Sequence, residues 1–394
     1  MKFIASPLLL CCLTVAWGSS AAPSKKTTKK APAQAASKPA AAKAATPVVK
    51  PPAVTSKAYV TTRFTTPARA RRRVYDPYVT PTYADSTLGD SVDGEDLVVR
   101  RAAVEALGAY NGSVVVADPL NGRILSIVNQ KLALTGAYTP CSTIKLVSGL
   151  AGLKEGAIED TTLLRISRFG GITLTNALAV SNNTFFQIIG ARIGFEKLKR
   201  YAEEFGLGEK AGWDIEGESP GRFPDEPVAG APTSLMCSHG VAIGMTPLQL
   251  TAIVAAIANG GDLLYLQYPR NQEEALTITP KTKRRLDVVD WLPAMKPGME
   301  GSAEWGTGKR AFYDESEPIF GKTGTCSDNR THLGWFGSYN DVNNRKLVVV
   351  VLLTGGYPVN GGLAAGIAGQ VYKNLSAAQY FSQTEIAAPG EQGH

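Results

Sequence analysis

The chain is 394 residues long and 44% hydrophobic, longer than one ordinary domain and apolar enough to bury a core, which excludes a wholly disordered or fibrous protein. Of its 41 Lys and Arg, 14 lie in residues 1–75, where there is no Asp or Glu, leaving 27 bases against 34 acids in the rest. The folded part is therefore acidic, and the formal net charge of +7 gives no ground for nucleic-acid binding.

The opening MKFIASPLLLCCLTVAWGSSAAP has the pattern of an export signal: Lys2, an apolar run from Phe3 to Gly18, then Ser19-Ser20-Ala21. Interrupted by Pro7, that run is short for a membrane span, which needs about 20 residues. Residues 1–21 are expected to be a signal peptide, with an uncut signal anchor as the alternative. Residues 22–95 form a basic Ala/Pro/Lys-rich tail and linker. Its first part, to Lys57, holds no apolar side chain larger than Val and cannot offset the entropy of ordering, so disorder is expected. Arg69, Arg71, Arg72 and Arg73 continue the charge, as a solvated linker or as a segment drawn to anionic lipid or wall polymer. The folded domain is placed at 96–378, and 379–394 is expected to be a flexible tail.

Within the domain, GSVVVADPLNGRILSIVN (112–129) reads as a hairpin turning at Pro119–Gly122. Helices are expected from Ser142, Thr184 and Phe195. A long apolar helix follows from Thr246, with Pro247 in its first turn and Gly260-Gly261 ending it. After an irregular stretch come IFGKTGTC, THLGWFGSY and KLVVVVLLTGG, three strands of a meander, and a closing helix around Leu363–Leu375. Strands at both ends and helices between them predict an α+β fold, with one antiparallel sheet built from both ends of the domain and flanked by helices.

Three short motifs occur in order. Ser142-x-x-Lys145 alone decides nothing, since such a pair is expected about once or twice by chance in a chain this long. Ser181-x-Asn183 is equally common. Lys322-Thr323-Gly324 occurs once, on an expected strand, against a chance expectation of roughly 0.1. A literal Ser327-Asp328-Asn329 follows that strand so closely that it belongs to the next turn. A nucleotide-binding reading of Gly321-Lys322-Thr323 fails, because Ser316 stands where a phosphate loop needs glycine.

In this order and with these flanks, residues ~96–378 resemble the penicillin-binding protein and serine β-lactamase superfamily, whose motifs run S-x-x-K, S-x-N, K-T-G. TPCSTIK, GMTPLQLTAIVAAIANGG and GTGKRA before GKTGTC all resemble that family's sequence. A serine at a helix start lies in a positive field beside a free N–H, with the lysine three residues on sharing its face. A free lysine stays protonated at neutral pH, but burial and a second cation lower its pKa and make it a base. The resemblance implies Ser142 as nucleophile, Lys145 as base and Ser181 as proton relay. It implies Asn183 as holder of a substrate amide, and Lys322, Thr323, Gly324 and Thr325 as binders of the substrate carboxylate. The N–H groups of Ser142 and Thr325 would then form the oxyanion hole.

The implied function is that of an exported, class B-like peptidoglycan D,D-transpeptidase acting on D-Ala-D-Ala stem peptides through a serine acyl-enzyme, and acylated by β-lactam antibiotics. It would work in the periplasm or cell envelope, or be held at the inner membrane by an uncut N-terminal segment, among cell-envelope protein partners. Alternatives are a D,D-carboxypeptidase, a serine β-lactamase, for which no clear E-x-x-x-N base signature is present, and a non-catalytic β-lactam sensor. No cofactor, metal or nucleic acid is expected: the chain has three histidines and no paired Cys/His spacing, and His332, at a strand start, reads as structural. Beyond the signal the cysteines are Cys141, Cys237 and Cys326. If Ser142 and Thr325 share an oxyanion hole, their neighbours Cys141 and Cys326 could meet as a disulfide; otherwise both are small buried free thiols. Cys141 stands where the family commonly has glycine, Ala242 replaces a glycine found in some members, and only the basic tail precedes residue 96 where class B members carry a larger N-terminal domain.

Overall fold

Uninterrupted aliphatic runs such as Val114–Ala117 and Leu347–Leu353 can leave neither face in water. In the computed structural model they form the buried middle of one sheet. The structure describes residues 78–343 and 345–382. Among these, the strands are β1 (Gly112–Ala117), β2 (Ile124–Val128), β3 (Leu164–Ser167), β4 (Gly170–Ile172), β5 (Asp262–Leu264), β6 (Thr282–Arg285), β7 (Ile319–Asp328), β8 (Thr331–Val342) and β9 (Arg345–Gly355). Five of them pair antiparallel in the order β2-β1-β9-β8-β7; β3 with β4 and β5 with β6 make small separate ladders. The first and last strands of the domain thus meet at β1–β9, with Val115 opposite Val350, and the expected α+β architecture is the observed one.

Because side chains alternate across a strand, the sheet feeds two cores. Val115, Val350, Leu352 and Trp335 face the helical region. Val114, Val349, Val351 and Phe336 face the helices Leu97–Leu107 and Gly361–Ala377. The helix Pro247–Ala258 is buried on every side, as its near-absence of polar residues requires, and Thr246 and Gln249 close a capping box at its start. The stretch β7 is the sheet's edge, so alternate backbone groups of the lysine strand are free of strand partners.

Several expected boundaries move. The helix expected from Ser142 begins as a 3₁₀ turn, Cys141–Ile144, and becomes α-helical only at Lys145, running to Lys154. The helices expected from Thr184 and Phe195 run as one element, Asn183–Glu204, broken at Gly194, whose φ of 76° no continuous helix permits. Leu292–Glu304, within the stretch expected to be irregular, is a helix despite Pro297, because Leu292, Met295 and Met299 recur at helical spacing against the core. Leu97–Leu107, also not anticipated, is capped by the Asp96 carboxylate.

The domain also outruns its expected limits of 96 and 378. Residues 78–95 are hydrogen-bonded to it rather than forming a linker: Asn111 N–H donates to the Thr82 carbonyl (2.9 Å), and Glu95, 1% exposed, accepts from Ile127 N–H and the Ser126 hydroxyl, both at 2.8 Å. Past the closing helix, Tyr380 and Phe381 are buried, and the Tyr380 hydroxyl donates to Asp96 at 2.8 Å. The expected signal (1–21), the basic tail to residue 77 and residues 383–394 lie outside the described residues. No helix among the described residues is long and apolar enough to cross a membrane.

Candidate active site

Ser142 is half-buried in the 3₁₀ turn that leads into the Lys145 helix. The turn is set by Pro140 and by Cys141, whose φ of 52° lies in the left-handed region that favours glycine. A disulfide between Cys141 and Cys326 holds it there, with Cα atoms 5.6 Å apart. Of the two readings open for these cysteines, the bridge is the observed one. Cys237 is a free, buried thiol, pushed up to about 12 by burial and so inert at neutral pH.

The bridge joins the serine turn to β7. Between them Gly324 is needed for close approach: a Cβ there would lie 2.9 Å from the Pro140 carbonyl oxygen and 3.2 Å from Thr143 Cγ2. The Ser142 hydroxyl makes one long contact, 3.5 Å, to the Ser238 carbonyl. Among the described residues it makes no hydrogen bond to Lys145.

Lys145, the first residue of its α-helix, has no exposed surface. Its Nζ donates to the Ser181 carbonyl (2.9 Å), the Ser181 hydroxyl (3.1 Å) and Asn183 Oδ1 (2.6 Å), and sits 5.3 Å over the Phe186 ring. Burial pushes it down from 10.5 to about 7. Ser181 occupies a tight turn at φ 56° between the helices Leu174–Ala179 and Asn183–Glu204, and Asn182 caps the second of these by accepting from Phe185 N–H. The two motifs, some 36 residues apart, therefore meet through one lysine side chain.

Lys322 is also fully buried, and its Nζ donates to the Thr323 carbonyl at 3.1 Å. Burial, and then the nearby Lys145, push its pKa well below the usual lysine value. Among the described residues neither ammonium group hydrogen-bonds a carboxylate, and two buried like charges disfavour both being protonated at once. Thr325 is exposed, and its hydroxyl oxygen accepts from Gly361 N–H at 2.8 Å. A Cβ on Gly361 would lie 2.7 Å from the Gly324 carbonyl oxygen, so this helix start abuts the lysine strand.

Lys145 thus joins Ser181 and Asn183 by hydrogen bonds, while the disulfide and the close approach at Gly324 hold the Ser142 turn against the strand of Lys322–Thr325. Ser327 and Asp328 end β7, away from the second motif, and Asp328 accepts from the Thr139 hydroxyl at 2.9 Å. His332 starts β8 and packs edge-on against Tyr78, ring centroids 4.6 Å apart. Not anticipated were Ser238 and His239, whose side chains share a 2.7 Å hydrogen bond beside the serine turn; burial, then Lys145, lower the histidine pKa. Thr307 was read only as part of GTGKRA, yet it touches Thr323. No local pattern marks Ser238 and His239, which lie at a helix end set by packing elsewhere.

Residues 112–376 match the penicillin binding protein transpeptidase domain model. Stage V sporulation protein D of Bacillus subtilis is 28% identical over 67% of this chain and 49% of its own length. Peptidoglycan D,D-transpeptidase MrdA of Haemophilus influenzae is 25% identical over 66% of this chain and 52% of its own. The chain therefore spans about half the length of these relatives. Two solved structures share the fold: Pseudomonas aeruginosa PBP2 in complex with WCK 5153 (TM-score 0.61, 22% identity, 75% of this chain and 78% of that one), and Helicobacter pylori PBP2 in complex with MreC (TM-score 0.61, 20% identity, 72% and 63%). The chain belongs to the penicillin binding protein transpeptidase domain family.

Proposed function

We propose that this chain is an exported peptidoglycan D,D-transpeptidase that cross-links stem peptides and is acylated by β-lactams. The observation that carries this reading is the buried Lys145, brought down to about 7 and hydrogen-bonded to both Ser181 and Asn183, one helical turn from Ser142. Neutral Lys145 takes the Ser142 proton, and Ser142 Oγ attacks the carbonyl of the penultimate D-Ala. The N–H groups of Ser142 and Thr325 hold the oxyanion; such donors are typically worth about 3 kcal/mol each. Ser181 passes the proton to the departing D-Ala amine as the C–N bond breaks. The amine of a second stem peptide then attacks the ester, forming the new amide and restoring Ser142.

Lys322, Thr323 and Thr325 receive the terminal carboxylate. Since Thr325 Oγ1 already accepts from Gly361 N–H, its own proton is left for that carboxylate. Asn183 Oδ1 is taken by Lys145, which leaves the amide N–H₂ for a substrate carbonyl. Among the described residues no carboxylate hydrogen-bonds to Ser142, Lys145, Ser181, Asn183 or Lys322. That favours a long-lived acyl-enzyme awaiting an amine over rapid hydrolysis of the β-lactamase kind. The export signal, residence in the periplasm or envelope and removal of residues 1–21 belong to the same proposal. So do cell-envelope protein partners, by likeness to the PBP2 solved with MreC.

The test is incubation of the purified protein with a fluorescent penicillin, followed over time. A covalent adduct mapped to Ser142, lost in Ser142→Ala and persisting for minutes or longer, is expected. Undiminished labelling of Ser142→Ala overturns the site, and release faster than about one per second moves the protein to the β-lactamases.

A further inference from the structure

We infer that Thr307 is a positioning residue for the substrate carboxylate, acting through Thr323. This rests on the proposal that Thr323 receives that carboxylate. The two hydroxyls are 2.5 Å apart, the closest contact either makes, although Thr307 lies on the loop after the helix Leu292–Glu304 and Thr323 on β7. The Thr307 backbone N–H donates to the Ala179 carbonyl at 3.0 Å, and its hydroxyl lies 3.4 Å from the same oxygen. Ala179 ends the helix that leads directly into the Ser181 turn. Thr307 therefore ties the segment leading to Ser181 and Asn183 to the strand bearing Lys322 and Thr323.

Either oxygen can be the donor in the hydroxyl pair, and the Thr307 proton has a second, longer acceptor in the Ala179 carbonyl at 3.4 Å. A threonine hydroxyl has one proton and two lone pairs. When Thr307 donates to Thr323 Oγ1, the Thr323 proton is free to point elsewhere, and a carboxylate, which only accepts, is the partner that uses it. Without Thr307, Thr323 Oγ1 loses that partner, and its hydroxyl must be reoriented each time substrate binds. Thr323 is 4% exposed and held in β7 opposite Phe336, so its position is rigid and only its proton is adjustable. Thr307 is exposed. Its replacement by isosteric valine removes the hydroxyl without opening the core.

The experiment compares acylation of the full chain by benzylpenicillin and by its methyl ester, which lacks the carboxylate. For the unsubstituted protein the acid reacts faster than the ester. In Thr307→Val the acid-to-ester ratio of second-order rates falls by about tenfold, the worth of one well-placed hydrogen bond to a charged group. Thr307→Ser restores it. Thr323→Val loses the same preference, and the double variant is no worse than Thr323→Val alone, since the two act as a unit. Equal slowing toward acid and ester in Thr307→Val, or an unchanged ratio, overturns the assignment. If Thr323→Val itself keeps the acid preference, the carboxylate site proposed above is what fails; if Thr323→Val loses it and Thr307→Val does not, the role of Thr307 alone fails.

Discussion

Cys141 and Cys326, 185 residues apart in sequence, are joined by a disulfide that flanks the nucleophile candidate on one side and Thr325 on the other. The bond ties the serine turn to the lysine strand next to the two backbone N–H groups, of Ser142 and Thr325, proposed to hold the oxyanion. It also holds Cys141 in the left-handed conformation that glycine would adopt at no steric cost. A bridge closing so long a loop restricts the unfolded chain, a contribution of about 2–4 kcal/mol in typical cases.

Reduction should therefore act twice. The unreduced, denatured chain from residue 78 onward should titrate a single thiol, Cys237, and three after reduction. Reduced protein, or Cys141→Ala with Cys326→Ala, should melt several degrees lower, and at temperatures well below the melt should acylate several-fold more slowly. Acylation that is indifferent to reductant while three thiols are free would show that the turn holds its shape unaided.

Gly324 gives a sharper probe of the same junction. Its absent side chain leaves 2.9 Å to the Pro140 carbonyl oxygen and 3.1 Å to Trp335 Cβ, so Gly324→Ala must push β7 away from the serine turn. Acylation should fall by at least about tenfold, the effect of about 1.4 kcal/mol at the transition state. The melting temperature should change far less, because β7 keeps its ladder with β8. A normal acylation rate in this variant would mean that the turn and the strand need not stay in contact for the chemistry.

The pH dependence follows from Lys145. With its pKa brought to about 7, the neutral form rises from about a tenth to about nine-tenths between pH 6 and pH 8, so acylation should rise roughly tenfold over that interval and then level off. Stability moves the same way. The unfolded lysine keeps its proton to about pH 10.4, so above pH 7 the unfolded state binds more protons than the folded one, and stability grows with pH between about 7 and 10. A rate profile flat from pH 6 to pH 8 would remove Lys145 from the role of base.

What could be read in the sequence and what could not divide along physical lines. β7, β8 and β9 were legible because continuous aliphatic runs bounded by turns have few alternatives, and the order of three short motifs pointed to the family. The helix Leu292–Glu304 was hidden because Pro297 and its glycines argue against a helix that packing against Leu178 nonetheless enforces. His239 carries no pattern of its own, and GTGKRA did not single out Thr307; only the folded chain brings them beside the serine turn and Thr323. The disulfide stood between: a shared oxyanion hole would make Cys141 and Cys326 neighbours, but whether the side chains converge depends on the left-handed turn at Cys141, which no residue type there announces.

The N-terminal edge of the domain is where expectation and structure part most clearly, and it can be tested by stability. Arg100, on the first helix, is buried with an ion pair to Asp90 at 2.7 Å and a second, longer one to Glu95 at 3.5 Å. Asp90 in turn accepts from the backbone N–H groups of Asn129 and Gln130, while Glu95 takes those of Ile127 and the hydroxyls of Ser126 and Tyr268. Removing residues 78–95 strips both carboxylates from a buried guanidinium and leaves the end of β2 with unsatisfied donors. Breaking a buried pair by deleting one side typically costs about 3–5 kcal/mol, because the remaining charge stays desolvated. A chain starting at residue 96 should accordingly be insoluble or melt many degrees below the full chain, and Glu95→Ala should show a smaller loss of the same sign. Neither change touches Ser142 or Lys145, so whatever fraction of Glu95→Ala is folded should still acylate at the unsubstituted rate. A 96–394 chain as stable as the full one would return the boundary to Asp96.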